Sequence, residues 1–276
     1  MTIDEALQHA TASLPGESPK LDAEVLLGFV LGQSRTYLYT WPERELTASQ
    51  QSLLEELVVR RAQGTPVAYL VGEREFWSLP LQVNEHTLIP RPETELLVEQ
   101  ALVRMPPSCR VLDLGTGTGA IALALASERP DAEVWAVDAS PDVLKVAQAN
   151  AERLGIKLHL LHSDWFVKLG GQRFHLIVSN PPYIAEADPH LGQGDVRFEP
   201  LTALASGIDG LTDIRQIVAQ APEHLHPGGW LLFEHGYDQG ELVRALLTQA
   251  GFSAVETVQD YGGNDRVTLG QWESHD

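Results

Sequence analysis

Asn180-Pro181-Pro182-Tyr183 is the stretch whose residue types and order come nearest to a chemical device. It follows Ser179 and a short apolar run, His175-Leu176-Ile177-Val178, which reads as a buried strand that delivers Asn180 to its carboxyl end. Pro181 and Pro182 fix φ, bar helix for the residue before each, and remove two N–H groups, so the main chain leaves the sheet extended and offers carbonyls alone. The result is a rigid acceptor notch. The Asn180 side-chain oxygen and the Pro181 carbonyl can each accept a hydrogen bond from one planar –NH₂ group while the Tyr183 ring covers its face. An amide or arylamine nitrogen is a poor nucleophile because its lone pair is delocalised. Acceptors placed for the tetrahedral nitrogen of the transition state favour pyramidalisation, so the contact strengthens as the new bond forms. The electrophile must supply the remaining driving force, and a methyl group on a sulfonium is the obvious candidate.

A place to hold such a group is legible upstream. Asp113-Leu-Gly115-Thr116-Gly117-Thr118-Gly119 joins a strand to a helix, where glycines let the main chain approach a ligand and the helix start presents free N–H groups. The spacing is G-x-G-x-G rather than the G-x-G-x-x-G of pyrophosphate binding, which lowers the odds of a nicotinamide or flavin. Asp138 closes the next strand, nineteen residues beyond Gly119, where a carboxylate can accept from both hydroxyls of a ribose. Its bland reading is an N-cap for the helix opening at Ser140-Pro141. Asp164 and Trp165 follow the third strand at the same edge, where Trp165 could flank an adenine face and Asp164 accept from its amino group; a tryptophan buried against a loop is the competitor. Asp113 could contact the amino group of a methionine moiety. These strand ends define an expected cleft for S-adenosylmethionine, opening beside Asn180.

The elements that must position these residues follow from periodicity. Residues 110–114, 133–138, 158–162, 174–179 and 229–234 read as strands, with helices over 120–128, 141–154, 211–224 and 239–250 between and after them. Alternation of this kind predicts an α/β, doubly wound, mostly parallel sheet. Strands over 254–259 and 266–272 are separated by too few residues for a crossover, so they close a seven-stranded sheet as an antiparallel edge hairpin. Residues 1–72 show helical spacing of apolar residues broken at Pro15-Gly16, Gly32 and Trp41-Pro42, with Thr47 to Gln50 resembling a capping box and a short helix near Ser34. A small helical bundle (1–72), a β-hairpin linker (73–92) and the sheet domain (93–276) are therefore expected. Arg91, between Pro90 and Pro92, reads as one half of an ion pair or as a clamp on an anion.

Bulk properties exclude more than they specify. The 276 residues carry a formal net charge of −19, and from Leu201 onward there are three basic residues against eleven acidic ones, which argues against a broad phosphate-backbone footprint. One cysteine, Cys109, excludes a disulfide framework and a thiolate metal cluster. Residues 1–12 lack a basic start and an apolar core, and no run approaches a membrane span. A cytoplasmic protein acting on a protein or small molecule, with no membrane and no stable nucleic-acid binding, is the simplest expectation.

These motifs are similar to those of a known family. DLGTGTG, the acid after the second strand and NPPY after the fourth resemble class I S-adenosylmethionine-dependent amino-methyltransferases. GEREFW at Gly72 to Trp77, IPRPETE at Ile89 to Glu95 and RFEP at Arg197 to Pro200 resemble, more narrowly, the bacterial release factor glutamine methyltransferases (PrmC or HemK), along nearly the whole chain. The resemblance implies methylation of the glutamine side-chain nitrogen in the Gly-Gly-Gln loop of class 1 peptide-chain release factors. It implies cofactor binding by Gly115 to Gly119, Asp138 and Trp165, and capture of the glutamine amide by Asn180, Pro181, Pro182 and Tyr183, with the N-terminal helices helping to grip the release factor. Two readings stay open beside it: a nucleic-acid adenine or guanine amine methyltransferase, which would require a basic channel near Tyr183, and a scaffold that binds cofactor and release factor without reacting. Gly170-Gly171-Gln172 reads as an ordinary turn rather than a self-substrate. Glu186, Asp188, His190 and Asp195 read as a solvated loop rather than a metal site, and Glu234 and His235 receive no chemical role.

Overall fold

In the computed structural model, which describes residues 1–273, the chain divides into two units, Met1–Glu73 with Gln193–Phe198 and Arg74–Gly192 with the residues from Glu199 onward. The first unit holds α1 (Ile3–Ser13), α2 (Pro19–Leu31), α3 (Arg35–Thr40), α4 (Ala48–Ala62) and α5 (Val67–Val71). Capping boxes open α1 and α4: the hydroxyls of Thr2 and Thr47 accept from the N–H of Glu5 and Gln50, whose side chains accept in return from the cap N–H. The apolar stripe Ile3, Leu7, Ala10 meets Leu26, Leu27, Leu54 and Leu57 in one core. Arg61 bridges Asp22 and Asp195, each at 2.7 Å, and so fastens residues 193–198 to the bundle. Helix α5, with only five residues after Pro66, is too short to show a period and escapes sequence reading.

The second unit opens one residue into a hairpin of β1 (Glu73–Phe76) and β2 (Leu79–Gln82), whose two-residue turn places Trp77 and Ser78 at φ 53° and 58°. Phe76 and Leu81 bury against Leu97 and Val98 of α6 (Glu95–Arg104), each contributing about 1.5–3 kcal/mol, and the Trp77 N–H donates to Glu95 at 2.8 Å. A single 3₁₀ turn, Pro92–Thr94, leads into α6. There follow β3 (Arg110–Leu114), α7 (Ala120–Glu128), β4 (Glu133–Asp138), α8 (Pro141–Leu154), β5 (His159–His162), β6 (Phe174–Ser179), α9 (Thr212–His224), β7 (Leu225–Glu234), α10 (Gly240–Gln249), β8 (Ser253–Gln259) and β9 (Asp265–Gln271).

The seven strands lie in the order β5-β4-β3-β6-β7-β9-β8, parallel except for β9, which runs antiparallel to both its neighbours. The expected doubly wound sheet with an antiparallel edge hairpin is thus present. Strand order reverses between β3 and β6, and the carboxyl ends of these neighbours carry the glycine loop and Asn180. Strict alternation sorts the core: Leu176 and Val178 of β6 face α6 and α7, while Ile177 packs with Ile214 and Ile217 of α9. Most boundaries fall within a residue of the periodicity, and one departs by more. Strand β7 begins at Leu225 rather than Gly229, because the chain passes straight from α9 into the sheet and the pairing to β6 slips between Phe174 and Leu176. Buried Asn150 of α8 binds the N–H and carbonyl of Gln82 and the carbonyl of Thr118, tying the hairpin to the glycine loop. Among the described residues no helix is long and apolar enough to cross a membrane.

Candidate functional site

The main chain turns sharply after β3. Gly115 takes φ 72°, and the N–H groups of Gly115 and Thr116 both donate to the Val137 carbonyl at 2.9 Å, which holds the loop against the end of β4. A Cβ at Gly115 would sit 3.4 Å from the Trp165 ring, so glycine serves both the backbone angle and the close approach. Asp113, fully buried, accepts from the Thr116 hydroxyl at 2.6 Å through Oδ2, while Oδ1 has no hydrogen-bond partner. Burial pushes its carboxyl up to about 7, against the pull of the Thr116 hydroxyl and the Ala122 N–H, with the Asp138 charge adding to the rise. Asp138 accepts from the Gly117 N–H at 3.1 Å and the Ser140 N–H at 3.0 Å; burial raises its pKa despite these bonds. The cap of α8 is the Ser140 hydroxyl, not Asp138.

Gly115, Gly117, Asp138, Asp164, Trp165, Asn180 and Pro182 line one cleft of about 520 Å³, a volume suited to a nucleoside-sized ligand. Asp113, Thr116, Thr118, Gly119, Pro181 and Tyr183 lie outside that lining. Thr116 and Thr118 are buried, the former bonded to Asp113 and the latter accepting from Asn150 through its carbonyl. Sequence reading did not foresee Glu85, His86, Thr202 or Asp213, which complete the wall. Glu85 and His86 come from the turn after β2, Thr202 from a 3₁₀ turn and Asp213 from the first turn of α9, and nothing in the local pattern marks any of them as facing a ligand.

At the other end of the cleft, the Asn180 Nδ2 donates to the Thr94 hydroxyl at 3.2 Å, which leaves the side-chain oxygen to face an incoming donor. The Tyr183 carbonyl accepts from Gln239 at 2.9 Å, and its phenol donates to Glu234 at 3.2 Å. Burial, with the Glu234 charge beside it, raises the Tyr183 pKa above the usual phenol range. Arg91 pairs with buried Glu199, which also accepts from the Ile89 N–H at 2.9 Å; the ion-pair reading of Arg91 is the one present. Gln172 lies at the amino end of β6, held by Arg110 at 2.8 Å, with the whole strand between it and Asn180. Asp188 is engaged by His190 and Asp195 by Arg61, and among the described residues no group of three His, Cys, Asp or Glu could hold a metal ion.

Family models match both units: the PrmC N-terminal domain over residues 5–72 and the methyltransferase small domain over residues 92–194. The release factor glutamine methyltransferase of Escherichia coli (strain K12) is 58% identical over 272 residues, covering 98% of this chain and 97% of that protein. That of Yersinia pestis is 60% identical over 258 residues, covering 93% of each. The chain belongs to the release factor glutamine methyltransferase family. As a member of that family it is a methyltransferase, and the cleft that ends at Asn180 lies in its second unit. A solved methyltransferase from Pyrococcus furiosus, 16% identical with a TM-score of 0.55 over 83% of this chain and 100% of that one, shares the fold.

Proposed function

We propose that this methyltransferase uses S-adenosylmethionine to methylate the side-chain amide nitrogen of the glutamine in the Gly-Gly-Gln motif of class 1 peptide-chain release factors. The reading rests on full-length similarity to enzymes named for that activity, together with one observation: the cleft ends at a carboxamide oxygen turned outward by the bond from Asn180 to Thr94. The residues present fit the cofactor. The unpartnered Asp113 Oδ1 matches an ammonium group, Asp138 keeps lone pairs for the ribose hydroxyls, Trp165 and Asp164 offer a face and an acceptor for adenine, and Gly115 and Gly117 let the main chain close on the ligand. Thr116, Thr118 and Gly119 act behind that wall by fixing the loop.

When bound, S-adenosylmethionine supplies a methyl group activated by a positive sulfur. Asn180 Oδ1, at the end of the cleft, would accept from the glutamine –NH₂, the Pro181 carbonyl just behind the cleft lining would serve as the second acceptor, and Pro182 bars helix so that the main chain stays extended there. These acceptors would favour a tetrahedral amide nitrogen, with its lone pair localised toward the bound methyl donor, and the proton that the nitrogen sheds after transfer would pass to solvent. No general base is required before transfer. Tyr183, anchored on Glu234 and Gln239, fixes the exit of the notch.

The nucleic-acid alternative shares the –NH₂ chemistry, but the cleft lining carries Glu85, Asp138, Asp164 and Asp213 with no lysine or arginine, a poor surface for a phosphate backbone. Incubation with methyl-labelled cofactor and either purified release factor or DNA tests the proposal. Label on the Gly-Gly-Gln glutamine is the expected result. Label on DNA alone would overturn it, and label on neither would favour a non-reacting scaffold.

A further inference from the structure

We infer that Glu234 is a positioning residue for methyl transfer: acting through Thr94 and Tyr183, its buried carboxylate fixes which way the Asn180 carboxamide faces. The inference rests on the glutamine-methylating reading of the cleft and goes beyond it, to what orients the acceptor.

Glu234 closes β7, a strand that otherwise reads Leu231-Leu232-Phe233, and it is 1% exposed. The register pairs Ser179 with Phe233, so Glu234 lies beside Asn180. Alternation puts both on the face of Leu232 and Val178, toward the start of α6 and Thr94. A carboxylate in such a place is costly unless it is used. Its Oε1 takes the Tyr183 phenol at 3.2 Å, and its Oε2 makes no hydrogen bond. The Thr94 hydroxyl lies near enough to favour the ionised carboxyl, burial pushing the other way; Arg266 of β9 also favours the charge, and Glu93 beside Thr94 opposes it.

The direction of the bonds carries the argument. Thr94, 4% exposed, accepts from Asn180 Nδ2, so its own proton needs an acceptor. Glu234 offers the orphaned oxygen for it, and donors then run one way, from Asn180 to Thr94 to Glu234. With that order the Asn180 oxygen faces the substrate. Reversed, Asn180 would present its –NH₂ to the –NH₂ it must bind. A glutamine at 234 has nearly the same shape but turns one end of the side chain into a donor, so it scrambles the order without opening a cavity.

The test uses the full chain, first as wild type with labelled cofactor and release factor, then as Glu234→Gln, Thr94→Val, Thr94→Ser and the Glu234→Gln/Thr94→Val double variant. Expected is a fall in kcat of about tenfold or more for Glu234→Gln and for Thr94→Val, with cofactor affinity unchanged by calorimetry, near wild-type kcat for Thr94→Ser, and no further loss in the double variant. A wild-type kcat in Glu234→Gln, equal rates for Thr94→Ser and Thr94→Val, or multiplicative losses would overturn the inference. Failure of the wild type to label release factor would instead overturn the parent reading. A second measurement is independent of the methyl acceptor: the Asn180 carboxamide protons, followed by NMR, should exchange at least about tenfold faster in Thr94→Val and Glu234→Gln than in the wild type and Thr94→Ser. Equal exchange in all four overturns the inference whatever the acceptor proves to be.

Discussion

Asn180 and Asp113 sit at the ends of adjacent parallel strands and fail in different ways when altered. Asn180→Ala removes an acceptor that matters most in the transition state, so turnover should fall by about a hundredfold or more while cofactor affinity, measured by calorimetry, stays nearly constant. A matching loss of affinity would show that the two roles are not separate. Asp113 carries a pH signature. Its carboxyl, near 4 in an unfolded chain, is pushed up to about 7 by burial, so between those values the folded protein binds the extra proton. Stability of the ligand-free protein should therefore fall as pH rises from about 4 to 7 and level off above. Asp113→Asn should melt with the wild type at pH 4 but be more stable by about 2–4 kcal/mol at pH 8. An ammonium placed against the ionised carboxyl reverses the preference, so cofactor affinity should rise with pH through about 7, with proton release visible in calorimetry across buffers of different ionisation enthalpy.

Elements hold these residues by long-range ties rather than by their own ends. The segment from Ile89 to Arg91 is locked to Glu199, whose side chain is 0% exposed, through the Ile89 N–H and the Arg91 guanidinium. Arg91→Met keeps most of the packing but removes the counter-charge. Because Arg91 is about a third exposed, the cost falls below that of a fully buried pair, at about 1–3 kcal/mol, readable as a lower urea midpoint with unchanged slope. The same tie prepares Thr94, three residues on, so kcat should drop further than stability alone explains. The 3₁₀ turn at Pro92–Thr94 is thus a structural start for α6 and the source of the hydroxyl that holds Asn180.

On the scale of the molecule, charge sets which partners can approach. A formal net charge of −19 and a cleft rimmed by carboxylates should keep nucleic acid away. Fluorescence anisotropy with duplex DNA at about 150 mM salt should show dissociation constants no tighter than about 100 µM, at the weak end of non-specific binding. Binding well below that, with a steep salt slope, would place a basic surface where the sequence shows none.

What the chain reveals without its fold is whatever repeats or breaks locally. Helices 120–128 and 141–154 and the strands at 110–114, 133–138 and 174–179 were readable to the residue, because alternation, glycine turns and serine or proline starts lie within a few positions of what they specify. The place of Asn180 at the end of β6 was legible for the same reason: two prolines dictate their own backbone. Its supports were not. Thr94 is 86 residues from Asn180, Tyr183 is 51 from Glu234, and Arg91 is 108 from Glu199. Such pairs meet only because β7 lies beside β6 and α6 covers that face, and strand order is a property of the whole packed sheet that no local pattern encodes. Sequence alone therefore marked the strand ends that line the cleft, while tertiary packing decided which buried polar groups lie against them.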